Sequence, residues 1–399
     1  MPNKYQPVIV VVAFNRTKSL KRILDSLVKA VYTGKTRLII SIDNNGTNQD
    51  VVDLANHYSW EFGEKEVIYR PEHLGLRKHI LTCGDLTYQY GSIIMLEDDL
   101  VVSPYFYHYA VEALNFYKDS TEIAGISLYN LPYTEASKLP FLPLKDDSDV
   151  YFMQVPSSLG QAWTMEHWDK FKKWFDTNPD LNKIEGLPII ATRYWSASSW
   201  KKYFYGYLVD FNKFFVFPQV SLTTNFNDRG ENMYAKTYFG QVSLQMRNIS
   251  YKWKLPLDSI NVYDAYSEIL PEKLKVLCSK LEGYDFETDL FGQKESFSKE
   301  FVLTHKPCRN PIFSFERAMK PHELNIIFNI EGSELCLAKR EDVLFTEETI
   351  KNLLYRTKPV DQFLNDFAYY YTNVFDTKKM MRIVWFNLKN KLRNFKKRE

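Results

Sequence analysis

A chain of 399 residues, 45% hydrophobic and 25% charged, is long enough for two modest domains and is neither disordered nor fibrous. Its only long apolar opening, Val8–Phe14, is too short for a secretory h-region or a membrane span, so the chain is expected to stay on the side of the membrane where it is made. Net charge is +2, yet residues 377–399 hold nine Lys or Arg against one Glu, which leaves 42 basic and 48 acidic side chains elsewhere, a net −6.

Cys83, Cys278, Cys308 and Cys336 show no metal-binding spacing and read as reduced thiols in a cytosolic protein. On that reading the sequons at Asn45 and Asn248 carry no glycan. The high aromatic content, 27 Tyr, 28 Phe and 8 Trp, suits either large aromatic cores or a cleft in which rings stack on sugar faces.

In chain order, Val8–Ala13 is a continuous β-branched run, as in a strand buried on both faces. Asn15-Arg16-Thr17 is a turn, and the apolar spacing of Leu20, Ile23, Leu24 and Leu27 predicts a helix over 19–27. A second strand at 37–42 ends in Asp43-Asn44-Asn45-Gly46. A helix at 50–58, a strand at 66–70 and a helix at 77–90 precede a fourth strand, 92–96, which runs directly into Glu97-Asp98-Asp99. Such alternation predicts βαβ crossovers and an open parallel sheet with helices on both faces. Ligands bind such sheets beyond the carboxyl ends of the strands, which gathers Asn15, Arg16, Asp43 and Glu97-Asp98-Asp99 on one rim.

Further on, helices are expected at 105–117, 163–175 and 198–207, a loop at 139–149 and a strand at 214–218 running into 219–225. Beyond 245, helix signals at 271–281, 347–355 and 359–371 mix with a strand-like piece at 324–330.

An acidic cluster just after a buried strand suits a hard divalent cation held by one or two carboxylates, leaving positions for phosphate oxygens and water. The alternative is a solvated acidic turn.

The segments PVIVVVAFNRTKSLKRILDSL, LIISIDNNG, HLGLRKHILTCGD and SIIMLEDDLVVSPYFYHY resemble, in matching order, the donor-binding half of GT-A glycosyltransferases. The nearest group is the one containing N-acetylglucosaminyltransferase I and its bacterial family 2-like relatives. The resemblance covers about residues 7–245 and implies an α/β, Rossmann-like open sheet with bound nucleotide sugar. It implies that Asp99 binds Mn²⁺ or Mg²⁺, that Glu97 and Asp98 contact ribose and sugar, and that Asp43 meets the base. Ala13, Asn15 and Arg16 would line the nucleotide pocket, while Arg77, Lys78 and His79 stand where such families hold the donor. Gly160 falls in SSLGQAW, which is similar to the small-residue and Trp segment beside the transferred sugar.

Two departures concern the chemistry. Relatives place a basic carboxylate near a Trp about eighteen residues before the FP proline. Here Trp200 is followed by Lys201, and Asn232 or Met233 replaces a His in the closing loop. Asp210 lies at the far end of the 198–207 helix and is rejected as base, whereas Glu166, Asp169, Asp228 and Glu231 stay open.

The tail places Met381, Val384, Trp385, Leu388, Leu392 and Phe395 within about 40° of one helical line, flanked by Arg and Lys. That is the pattern of an interfacial helix on an anionic membrane surface, and its alternative is a helix docked on its own domain.

The expected organisation is a GT-A domain at 1–245, a smaller mixed, mainly helical accessory region at 246–376 and the basic tail at 377–399. The expected activity is a metal-dependent hexosyl- or N-acetylhexosaminyltransferase using a UDP-linked donor on a lipid-linked glycan, in surface-polysaccharide synthesis at the cytoplasmic face of the cell membrane. No nucleic-acid partner is expected. A nucleotidyltransferase would want a Gly-rich loop after the first strand, which AFNRTKS lacks. A non-catalytic sugar-nucleotide or glycan-binding protein is the remaining alternative.

Overall fold

The computed structural model describes residues 5–137, 139–226, 228, 240–344 and the single positions 381, 385 and 388. Glu231, the helix signals at 347–355 and 359–371, and most of the tail lie outside them. The chain forms two compact units, 1–283 and 284–399.

The first unit opens with β1 (Val8–Ala13), α1 (Thr17–Val28), β2 (Leu38–Ile42), α2 (Gln49–His57), β3 (Lys65–Tyr69), α3 (Gly75–Gly84), α4 (Leu86–Tyr90) and β4 (Ser92–Glu97). Every residue of β1 and β2 is buried, as a continuous apolar run in a parallel sheet demands. In α1, Leu20, Ile23, Leu24 and Leu27 form the buried stripe.

Next come β5 (Leu100–Val102), α5 (Phe106–Phe116), β6 (Ile123–Ser127), β7 (Val150–Met153), β8 (Gln161–Thr164), α6 (Met165–Asp176), α7 (Lys201–Asp210), β9 (Phe214–Pro218), β10 (Thr223–Asn225), β11 (Val262–Tyr263) and α8 (Pro271–Leu277). The main sheet has nine strands in the order β11-β7-β9-β6-β8-β4-β1-β2-β3. β1 is parallel to both β2 and β4, and β2 to β3. Strand β8 is antiparallel to both β4 and β6, so those two run the same way and end on the same rim. The chain moves outward from β1 to β3 and then crosses back to β4 on the other side of β1. The reversal leaves a crevice between the ends of β1 and β4.

Several expectations are corrected here. The helix expected at 163–175 begins only at Met165, because Ala162 and Trp163 pair with Ile94 and Ile93 of β4. Thr164 then caps α6: its hydroxyl accepts from His167 N at 3.2 Å while His167 Nδ1 accepts from Thr164 N at 3.4 Å. The helix expected at 77–90 is divided at Asp85, whose carboxylate accepts the Trp168 indole N–H at 2.8 Å. The 198–207 helix begins at Lys201, three residues late. Past 245 the chain is still part of the first unit, since β11 pairs with β7 and Lys252 O accepts from Asp149 N.

The second unit holds β12 (Phe286–Asp289), β13 (Phe301–Thr304), β14 (Phe313–Phe315), α9 (Glu323–Ile327) and β15 (Leu335–Lys339), with sheet order β12-β13-β15-β14. Among the described residues this unit is mainly sheet rather than mainly helix. The strand expected at 324–330 is instead α9 and the turn that follows it. Asn325 decides this: its side chain accepts from Ala318 N and Met319 N and donates to Met319 O and His322 O, which folds the segment back on itself against the β-propensity of its isoleucines.

The second layer of the core, beneath α6 and α7, is aromatic. Trp163 stacks on Phe204 at 5.7 Å, Phe204 on Phe171 at 4.2 Å, and Trp168 lies 5.1 Å from Trp163. Gly84 makes this possible, because a Cβ there would come within 2.0 Å of the Trp168 ring. Gly84→Ala is therefore expected to destabilise the first unit by about 1–3 kcal/mol through forced displacement of a buried indole. Urea unfolding followed by Trp fluorescence checks this, and an unchanged midpoint would show that the ring has room to move.

Candidate active site

The crevice between β1 and β4 opens into a cavity of about 290 Å³. Its lining includes Ala13, Asn15, Arg16, Asp43, His79, Glu97, Asp98 and Asp99, so eight of the eleven residues expected from the sequence meet at one site. Val12 and Phe14 from the end of β1, His73, Leu76 and Ile80 from the α3 region, Leu159, Asn225 and Asp228 complete it.

Its central feature is a guanidinium between two carboxylates. Arg16 donates from Nε to Asp98 Oδ2 at 3.2 Å and from Nη1 to Asp99 Oδ2 at 3.2 Å, while Nη2 pairs with Asp98 Oδ1. Burial alone would weaken the charge on Arg16, but Asp98 and Asp99 hold it more firmly protonated than usual. Burial pushes the Asp98 carboxyl up to about 6 even against Arg16. Glu97 rises to about 8, first through burial and then through Asp99 and Asp98, with Arg16 and Lys201 opposing. A neutral Glu97 can donate a hydrogen bond to a ligand hydroxyl as well as accept one.

Asp99 Oδ1 is buried and has no hydrogen-bond partner. One orphan carboxylate oxygen of a residue lining the crevice fits a divalent cation that takes its remaining ligands from phosphates and water. Among the described residues, no group of three or more His, Cys, Asp or Glu is arranged to hold a metal without such help.

Asp43 has another occupation besides facing the cavity. Its Oδ1 accepts from Leu74 N at 2.8 Å and Asn44 N at 3.0 Å, and its Oδ2 accepts from Gly75 N at 2.9 Å. This carboxylate thereby fixes the turn that starts α3. His79, one helical turn on, is buried and shares a 2.8 Å hydrogen bond with Ser41 Oγ. Burial drives its pKa down to about 4, so the imidazole is neutral at physiological pH.

The other three expected residues lie outside the cavity lining. Lys78 is exposed and pairs with Glu72 at 2.9 Å. Arg77 reaches away to Ala197 O at 2.9 Å and lies over the Tyr203 ring, tying α3 to the segment before α7. Gly160 sits beside the site in a left-handed conformation, φ +96°, with Thr223 and Leu128 too close to admit a Cβ.

The base candidates separate by geometry. Glu166 accepts from the Tyr5 hydroxyl at 2.9 Å, and Asp169 pairs with Lys173 at 2.7 Å. Both belong to α6, which starts where β8 ends, at the opposite rim of the sheet. Asp210 is the last residue of α7 and accepts from the Trp174 indole at 2.8 Å. Asp228 does line the cavity, but Arg22 and Ser19 hold it on the α1 side. Sequence reasoning missed Glu135, a buried carboxylate in the loop after β6 that pairs with Lys201. Only the contact across 66 residues marks it, and no local motif does.

Because the folded chain disfavours protonated His79, stability from this group is present above the ordinary pKa of 6.5 and lost as pH falls through about 4. Melting temperatures between those limits should fall less steeply for His79→Gln than for the wild type. Parallel curves would mean that His79 titrates normally.

Residues 8–165 match the family model described as glycosyl transferase family 2. No curated protein matches the sequence. Solved structures that align include a mannosyltransferase, PcManGT, from Pyrobaculum calidifontis in complex with GDP-Man and Mn²⁺, at 13% identity over 43% of this chain and 47% of that one, TM-score 0.30. GalNAc-T7 with UDP, GalNAc and Mn²⁺ aligns at 14% identity over 54% and 43%, TM-score 0.37. TarS 1-349 from S. aureus aligns at 11% identity over 54% and 59%, TM-score 0.34. The chain spans less than two thirds of each of these structures, and likenesses so distant carry no detail. The matches do not reach as far as the N-acetylglucosaminyltransferase I-like group. The family match over residues 8–165 and the strand order around the crevice agree with a GT-A fold for this part of the chain.

Proposed function

We propose that this protein transfers a hexosyl or N-acetylhexosaminyl group from a nucleotide sugar, UDP-linked in our reading, to a glycan acceptor. The observation that carries the reading is the Arg16-bridged Asp98–Asp99 pair at the switch point of the sheet, with one Asp99 oxygen left open. Asp99 would hold Mn²⁺ or Mg²⁺, and the cation would supply charge neutralisation to the departing diphosphate. Arg16 lies beside the same position and adds a second positive charge there. The Asp43-fixed turn and Asn15 bound the side of the cavity assigned to the base and ribose. Glu97 and Asp98, with raised pKa values, face the sugar. His79, neutral, keeps the wall of the pocket uncharged.

A nucleotidyltransferase reading lacks a glycine-rich loop after β1, where Phe14-Asn15-Arg16 stands. A binding protein without catalysis differs from the favoured reading only in turnover.

Thermal shifts with UDP-N-acetylglucosamine, UDP-glucose, UDP-galactose and GDP-mannose, with and without Mn²⁺, test the donor class. At least one is expected to stabilise the protein, with EDTA removing the effect. Asp99→Ala should remove it too while leaving the protein folded, since Arg16 loses one contact at 3.2 Å but keeps both contacts to Asp98 and the variant carries one carboxylate fewer in the cluster. A shift unaffected by EDTA would overturn the metal assignment.

The acceptor in this proposal is lipid-linked, in surface-polysaccharide synthesis at the cytoplasmic face of a membrane, where residues 377–399 would hold the enzyme. No helix among the described residues is long and apolar enough to cross a membrane. Support comes from the local charge of the tail and from Met381, Trp385 and Leu388, helical and 69%, 66% and 54% exposed. Each Lys or Arg near an anionic surface contributes about 1 kcal/mol, screened by salt. Truncation after Phe375 should abolish sedimentation with phosphatidylglycerol liposomes, and high salt should weaken it for the full chain. Equal sedimentation of both would assign the tail to docking on the protein itself.

A further inference from the structure

Outside the nucleotide cavity, polar groups without partners collect on the α7 side of the sheet. Gln161, the first residue of β8, is paired with Met95 of β4 and is fully buried, yet both its amide oxygen and nitrogen lack hydrogen-bond partners. It shares a strand face with Trp163, which packs edge-on against Trp200 at the start of α7. The next residue, Lys201, extends its ammonium to Glu135 Oε1. Glu135 comes from the loop after β6, which leaves the sheet on the same rim as Glu97. Its side chain is 9% exposed, and its second oxygen, Oε2, is buried with no partner. Lys201 opens α7 directly after Trp200, which packs on Trp163 of β8, so this pair stands over the β8 side of β4, away from β1.

Burying an ion pair and leaving one of its lone pairs and a whole amide unsatisfied costs stability that native cores normally avoid. The arrangement makes sense when a hydroxylated ligand supplies the missing partners. Tyr133 stands close enough to feel the Glu135 charge, and an aromatic ring beside a carboxylate suits a sugar, apolar on one face and hydroxylated at the edge.

We propose that Glu135 is the catalytic base of the transfer, that Lys201 positions its carboxylate, and that Gln161 binds a hydroxyl of one of the two sugars. The assignment rests on the glycosyl-transfer reading above. In the step it performs, the acceptor O–H gives its proton to Glu135 Oε2 and its oxygen attacks the anomeric carbon. The bond from that carbon to the phosphate oxygen breaks, and its electron pair leaves with the nucleoside diphosphate. A base acting on the acceptor makes this one displacement, with inversion at the anomeric carbon.

The test uses the full-length protein and the four nucleotide sugars named above. Donor affinity is measured by calorimetry, and turnover is measured as nucleoside diphosphate released with water or added glycans as acceptor. Glu135→Gln is expected to lower kcat by roughly 10²- to 10⁴-fold with donor Kd unchanged. Glu135→Asp should retain intermediate activity and serves if the Gln variant does not fold. Lys201→Met should lower kcat without changing donor Kd, and Lys201→Arg should restore part of the loss. A Glu135→Gln enzyme within about tenfold of the wild-type kcat overturns the assignment while leaving the transferase reading intact. A wild type that binds none of the donors overturns that reading itself. One that binds a donor but never turns it over counts against catalysis and therefore against any base.

Discussion

Three consecutive carboxylates at the end of a buried strand repel one another, and burial penalises each charge further. The contact between Arg16 and the Asp98–Asp99 pair is what makes the cluster tolerable, and the site is organised around it. Arg16 immediately precedes α1, and the same helix presents Ser19 and Arg22 to Asp228 from the segment after β10. Phe226 N in turn donates to Asp99 O at 2.8 Å. One short helix thus ties together the end of β1, the end of β4 and the distant Asp228. Because Arg16 engages Asp99 through Oδ2 and leaves Oδ1 open, cation binding and the ion pair draw on different oxygens of one carboxylate.

The two sides of β4 differ in how their polar groups are satisfied. Toward β1 and β2, Asp43 has backbone amides on both oxygens and His79 has Ser41. That wall is complete before any ligand arrives, which suits recognition of a constant feature such as a nucleotide. Toward β8, Gln161 and Glu135 retain unmet capacity. The sheet therefore separates a preorganised wall from one that a ligand finishes.

The half of the sheet from β1 to β4 was legible because its signals are local. Val8–Ala13 and Leu38–Ile42 are runs that only a doubly covered parallel strand explains, and Glu97-Asp98-Asp99 follows a strand whose end the sequence marks plainly. The other half was obscured because its elements are set by distant contacts. Trp163 and Thr164 look like the start of a helix until Ile93 and Ser92 claim them for a strand, and a His rather than a Glu closes the cap at Thr164. Leu324–Ile330 has strand composition, but the Asn325 side chain satisfies neighbouring backbone groups in a helical turn. Asp43 was legible as a rim residue, though not as the anchor of the 73–75 turn. Lys201 was noticed as a departure in sequence, while its partner Glu135 became visible only through the fold.

The placement of β8 also bears on how the chain acquires its structure. Strands β1 to β4 pair with neighbours close in sequence, apart from the single return to β1, so this portion can assemble early as the chain emerges. β6 follows β4 and β5 in sequence but cannot lie against β4, because that position belongs to β8, which is made later. Until residues 161–164 arrive, the exposed edge of β4 carries unpaired backbone groups next to the acidic cluster. The wall formed by Gln161, Lys201 and Glu135 therefore cannot form until β8 lies between β4 and β6 and α7 has followed it. A nascent chain stalled before that point would present half a cleft and an open edge on β4, a template for pairing with another chain.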